Sequence, residues 1–198
     1  YSAKQGYSED GAERVLRLIS GLFELLALGK GRGELERAAC AFVAEHGWTA
    51  DQHFAVAEQF GVDCFNVPHY RGDPATGVAE FADALGPFCE RAARAGITVA
   101  LEFLPGTGIP DLERALRIVA AVGAPNLGIT LDTWHWARIG ATLADIRALP
   151  PGVIKDFQLS DRAANQDALP DSEQWGRLLP GEGALPLAEI IRAVHANA

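Results

Sequence analysis

The chain has 198 residues, with 17 Lys and Arg against 26 Asp and Glu, a net charge of −9, and 48% hydrophobic residues. That composition excludes disorder, a collagen-like repeat and a disulfide-stapled miniprotein, and predicts one globular domain over residues 1–198 with a core of its own. No run approaches the roughly 18 to 20 apolar residues of a membrane span, and the acidic balance disfavours a nucleic-acid partner.

Residues 1–6 contain no apolar segment of the kind a secretory leader needs. Cys40, Cys64 and Cys89 are scattered and none sits in a CxxC, which predicts a reducing, cytoplasmic setting. The sequence contains no methionine, so it reads as part of a longer chain.

In chain order, residues 18–23 form a weak strand candidate between helical stretches. A helix is predicted over 50–60, stopping at Gly61, and a strand over 62–68. Residues 75–95 carry Val78, Phe81, Ala82, Leu85, Phe88, Cys89 and Ala92 at helical spacing, with Pro87 expected to perturb the helix and Gly96 to end it. A buried strand follows over 97–103, because the run is nearly continuous in apolar and β-branched residues. The next helix spans 111–122, starting at Asp111 and closed by Gly123. Residues 127–132 are another buried strand, 141–149 a helix broken by Pro150 and Pro151, 153–159 a strand, and 187–196 the last helix.

Alternation of apolar strands with amphipathic helices implies a parallel sheet covered by helices. Neither GxGxxG nor GxxxxGK[ST] is present, so the nucleotide-binding versions lose support. A (β/α)8 TIM barrel averages about 250 residues, or about 31 per unit. The five strand candidates, and a last helix that should feed one more, predict an incomplete barrel lacking its first strands and its last.

Three strands carry a ligand-capable polar residue toward their C-terminal ends: Glu102, Asp132 and Gln158. In a parallel barrel those ends share the catalytic face. Two carboxylates and an amide oxygen there make a hard donor set that suits Mg²⁺ or Mn²⁺.

Leu101-Glu102-Phe103, Leu131-Asp132-Thr133-Trp134-His135, Phe157-Gln158-Leu159-Ser160-Asp161 and Leu179-Pro180-Gly181-Glu182-Gly183 resemble the sugar phosphate isomerase/epimerase family of xylose isomerase-like barrels. The likeness runs over about residues 62–196. It implies one divalent metal held by Glu102, Asp132 and Gln158, with a fourth ligand, a Glu, on a strand after Ala198. Many relatives carry His at the third position; Gln158 tilts the site toward Mn²⁺ or Mg²⁺, with Zn²⁺ or Co²⁺ as lesser alternatives. The resemblance also implies that Glu102 is both ligand and catalytic acid/base, that His135 contacts a substrate oxygen, and that Arg162 binds substrate. Trp134 and Trp136 are expected to wall the pocket, and His69 to face its mouth. His46, His53 and His195 read as structural or surface residues, and the Gly-Glu-Gly of 181–183 as a turn.

The activity implied is a metal-dependent sugar isomerase or epimerase acting on a small polyhydroxylated carbonyl compound, with no nucleic-acid or membrane partner and with a homo-oligomer left open. Elimination of a β-hydroxyl at the same site would instead make it a dehydratase of the inosose type. A nuclease of the endonuclease IV type needs several His ligands, whereas only His69 and His135 sit near strand ends. A non-catalytic binding module with the same fold is the third alternative.

Overall fold

The computed structural model describes residues 50–69, 75–166 and 176–197. The strand expected over 18–23 lies outside them, as do Cys40 and His46. The chain divides into two compact units, Tyr1–Gly61 and Val62–Ala198. In the first, helix α1 (Ala50–Phe60) buries Phe54 and Ala57.

The second unit runs β1 (Cys64–Pro68), α2 (Val78–Arg94), β2 (Thr98–Glu102), α3 (Leu112–Val122), β3 (Leu127–Asp132), α4 (Thr133–Arg138), α5 (Leu143–Arg147), β4 (Ile154–Gln158) and α6 (Leu187–His195). The strands form one parallel sheet in the order β1-β2-β3-β4. Parallel neighbours need a crossover, and helices between the strands supply it. The sheet curls enough that β1 meets β4, with Cys64 Sγ 4.0 Å from the Lys155 carbonyl oxygen.

Strand alternation separates two faces. Half-buried Phe65 packs on Phe88 of α2, ring centroids 5.4 Å apart, and Val99, Leu101, Ile129 and Leu131 on the same face are buried in the core. The other face carries Asn66, Glu102, Thr130, Asp132, Asp156 and Gln158. Register puts Glu102 opposite Thr130, Thr130 opposite Asp156, and Asp132 opposite Gln158, with an irregularity between Ile129 and Thr130. One face of the sheet is therefore oily and the other is acidic and amide-rich.

The helices begin and end where their chemistry dictates. Asp111 caps α3 by accepting from Arg114 N at 2.8 Å. Thr142 and Asp145 cap α5 reciprocally. Gly123, at φ 67°, closes α3. Pro87 does not break α2, which runs through it to Arg94. Pro87 is exposed, as is Asp83 one turn back, so the carbonyl left without an N–H partner faces water, the cheapest place for such a loss. Among the described residues no helix is long and apolar enough to cross a membrane.

Candidate active site

Asp132 ends β3 and caps the short helix α4, its Oδ1 accepting from Trp134 N at 2.8 Å and His135 N at 3.4 Å. That cap sets the first turn of the helix and brings the His135 side chain back over the strand end. Thr133 Oγ1 donates to the Ser160 carbonyl at 2.6 Å and accepts from Ser160 N at 2.9 Å, tying the same turn to the chain leaving β4. The result is a cluster of Glu102, Asp132 and His135 whose donor atoms all lie within 4.8 Å of one another. All three are nearly sealed from water, at 4%, 0% and 4% exposure.

Glu102 divides its two oxygens. Oε2 accepts from Asn66 Nδ2 at 2.9 Å, and Asn66 Oδ1 accepts in turn from Thr130 Oγ1 at 2.9 Å. Oε1 faces His135 Nε2 at 3.5 Å. Burial pushes the Glu102 carboxyl above the usual carboxylate range. The Asn66 amide pulls it back, the Asp132 charge pushes it up again, and Arg177 and Asp156 add smaller opposed effects.

Arg177 is the cation of the site. Its Nη1 donates to Asp132 Oδ2 in a close contact and to Ser160 Oγ at 3.3 Å, while Nη2 lies 3.2 Å from His135 Nε2. The guanidinium also lies against the Trp134 ring, 5.0 Å from its centroid, and Arg138 meets the same ring at 4.7 Å. An arginine only donates, so His135 Nε2 accepts and carries a lone pair toward the cluster.

Gln158 sits beside Asp132 across the sheet. Its Nε2 donates to Asp156 Oδ2 at 3.0 Å, leaving Oε1 as the ligand-capable end. His69 accepts at Nδ1 from Gly108 N at 3.2 Å and meets Phe81 edge-on, which fastens it to the loop after β2. Arg162 is buried, with its N–H on Asp161 Oδ1 and its carbonyl accepting from Ala184 N. Trp134 and Trp136 are buried.

Beside the cluster stands a second buried carboxylate of another kind. Asp161, 1% exposed, accepts backbone N–H groups from Arg162, Gly181, Gly183 and Leu185 at 2.9 to 3.0 Å. Burial alone would raise its pKa, but those four donors outweigh it and hold the carboxyl below the usual range. Gly183 has no room for a side chain: a Cβ would stand 2.3 Å from Asp161 Oδ1 and 2.4 Å from the Arg162 carbonyl oxygen. Asp161 also pairs with Leu178, N to O at 2.9 Å in both directions, which delivers Arg177 to the site.

A curled parallel sheet with acids at its strand ends matches a known architecture. The sequence model of the xylose isomerase-like TIM barrel matches residues 49–198. The chain belongs to that family. Relatives include a 3-dehydroshikimate dehydratase of Pseudomonas aeruginosa, 30% identical over 155 residues, which cover 75% of this chain and 24% of that protein. An inosose isomerase of Halalkalibacterium halodurans is 30% identical over 98 residues, 48% of this chain and 34% of the relative. Among solved structures, the IolI protein with a binding zinc atom superposes at a TM-score of 0.60 with 18% identity, over 85% of this chain and 60% of that one. This xylose isomerase-like chain thus spans 24% to 40% of the length of the curated relatives it matches.

Sequence spacing does not reveal Arg177, Asn66 or the loop-holding role of Asp161. Arg177 reaches the cluster through the Asp161–Leu178 pairing, which no local pattern announces. Asn66 carries a faint signal as a lone amide inside an otherwise apolar strand.

Proposed function

We propose that this site removes and returns a proton beside the carbonyl of a small, sugar-like polyhydroxy compound, as an isomerase or epimerase, with Glu102 as the acid/base. The observation that carries this reading is the buried Glu102 carboxylate, held at one oxygen by Asn66 and facing the His135 imidazole with the other, its affinity for a proton raised by burial. A general base works best when its pKa is lifted toward the working pH, and desolvation does that here.

The donor chemistry fits a divalent cation. Two buried carboxylates share one guanidinium, which sits on Asp132, and Glu102 faces only the His135 imidazole, so the cluster carries more fixed negative than fixed positive charge among the described residues. Glu102, Asp132 and His135 would hold the ion, with the Gln158 amide oxygen beside Asp132 as a further donor. Oxygen donors favour Mn²⁺ or Mg²⁺, while the imidazole is compatible with Zn²⁺ or Co²⁺. Such an ion supplies electrostatic stabilisation for charge developing on a substrate oxygen. The residues do the rest. Asn66 keeps Glu102 aimed, Trp134 and the helix α4 close off water, and Arg177 offers donors to substrate oxygens.

The two curated relatives support the coarse class, since isomerisation of a hydroxy ketone and loss of a β-hydroxyl both begin with proton removal next to a carbonyl. The dehydratase stands as the second reading because the relative with the longest match carries that name.

The deciding experiment is exchange of the substrate's α-proton with solvent deuterium across a panel of ketoses and inososes. Glu102→Gln should lower the rate by about 10² to 10⁴ at saturating metal. Exchange as fast as wild type at full metal occupancy would remove Glu102 from the role of base. Loss of water from the product, read by mass, separates the dehydratase from the isomerase.

A further inference from the structure

We propose that Arg177 is a built-in counter-cation that competes with the divalent ion for Asp132, so that a loaded site and a guanidinium seated on Asp132 exclude each other. This rests on the metal reading above.

The competition follows from which atoms are spoken for. Asp132 Oδ1 is committed to the N-terminus of α4. Oδ2 is the oxygen left for a ligand, and Arg177 Nη1 sits on it. The other amino group of the same guanidinium lies against His135 Nε2. One planar cation thus uses the outward lone pairs of two of the three groups in the cluster. A divalent ion needs those same lone pairs, and two cations sharing them would repel at contact distance in a site shielded from water.

The side chain has somewhere to go, and the backbone on either side of it is hydrogen-bonded. Gly176 O accepts from Gln166 Nε2 on one side of Arg177, and Leu178 pairs with Asp161 on the other. Ser160 Oγ and the face of Trp134 already touch the guanidinium. These contacts remain available to it after Asp132 is surrendered. A buried aspartate is then never left without a cation, and the released N–H groups become free for substrate oxygens only once the ion is in place. Binding would be ordered, metal before substrate.

The test is Mn²⁺ binding without substrate, read as free Mn²⁺ by electron paramagnetic resonance. Arg177→Gln should bind Mn²⁺ about tenfold more tightly than wild type, the size of one charge-assisted hydrogen bond. Arg177→Lys, which keeps a competing charge, should fall between the two. A second measurement avoids mutation: phenylglyoxal modification of Arg177, mapped by mass spectrometry against Arg138 as internal standard, should quicken several-fold when Mn²⁺ is added. Folded Arg177→Gln with equal or weaker Mn²⁺ affinity overturns the proposal, as does Mn²⁺ bound to wild type with no rise in Arg177 modification. Absence of Mn²⁺ binding in wild type and variants alike would overturn the metal reading and this proposal together.

Discussion

Asp132 and Asp161 are equally hidden from water, at 0% and 1% exposure, yet they are satisfied in opposite ways. Among the described residues, Asp161 accepts only backbone N–H groups, four of them, from a loop folded around it. Those donors cannot leave without unmaking the loop. Asp132 accepts backbone N–H groups at one oxygen and a side chain at the other. A side chain can rotate away. Fixed donors mark a carboxylate that builds structure, and a replaceable donor marks one that can exchange partners.

The largest effect expected from that contrast is in stability. Asp161→Ala removes the acceptor that four backbone N–H groups share and should cost about 3 kcal/mol in urea unfolding. A loss below about 1 kcal/mol would mean that the loop stands without the carboxylate. Gly183→Ala comes next, at about 1 to 3 kcal/mol, because the added methyl meets a carboxylate and a carbonyl that are both held in place. Asp132→Asn should stay within about 1 kcal/mol of wild type, since its amide oxygen still caps α4 and the buried charge is gone. The same variant should bind Mn²⁺ far more weakly in the titration described above. A large stability loss with unchanged Mn²⁺ affinity would make Asp132 a second Asp161.

The smallest effect is one of sign, read in metal-free protein between about pH 3 and 8. Asp161 has a lowered pKa in the folded state, so its contribution is present above the ordinary Asp value of about 3.9 and is lost as pH falls. Glu102 has a raised pKa, so its contribution is present below about 4.3 and is lost as pH rises through the folded value. Glu102→Gln should therefore gain on wild type in unfolding free energy as pH rises. A constant difference at all pH values would show that Glu102 titrates alike in folded and unfolded chains.

Much of this architecture was readable in advance, for physical reasons. Strands buried on both faces run apolar for several residues, so β2 and β3 announce themselves, and their polar ends mark Glu102 and Asp132. Helix α4 was hidden because Thr133–Arg138 is too short to show a period, and the residue that starts it, Asp132, belongs equally to the strand. Sequence proximity to Gln158 favours Arg162 over Arg177. In the fold, the guanidinium that meets the cluster arrives from Arg177 by an antiparallel bridge between distant residues. Pro87 misleads for a simpler reason: a proline's cost depends on whether the orphaned carbonyl faces water, and sequence does not state that.

The irregularity between β3 and β4 has a consequence for anyone editing this chain. Ile129 pairs with Ile154, but Thr130 pairs with Asp156, so β4 spends one extra residue there. Were the intact strand paired evenly from Ile154 onward, Phe157, not Gln158, would stand level with Asp132. The strand's inside and outside are a matter of odd and even, and one inserted residue resets the parity just before the acidic layer begins. A single deletion at Lys155 would therefore smooth the ladder and leave the amide level with Asp132, whereas Lys155 kept in an evenly paired strand would set a phenyl ring there.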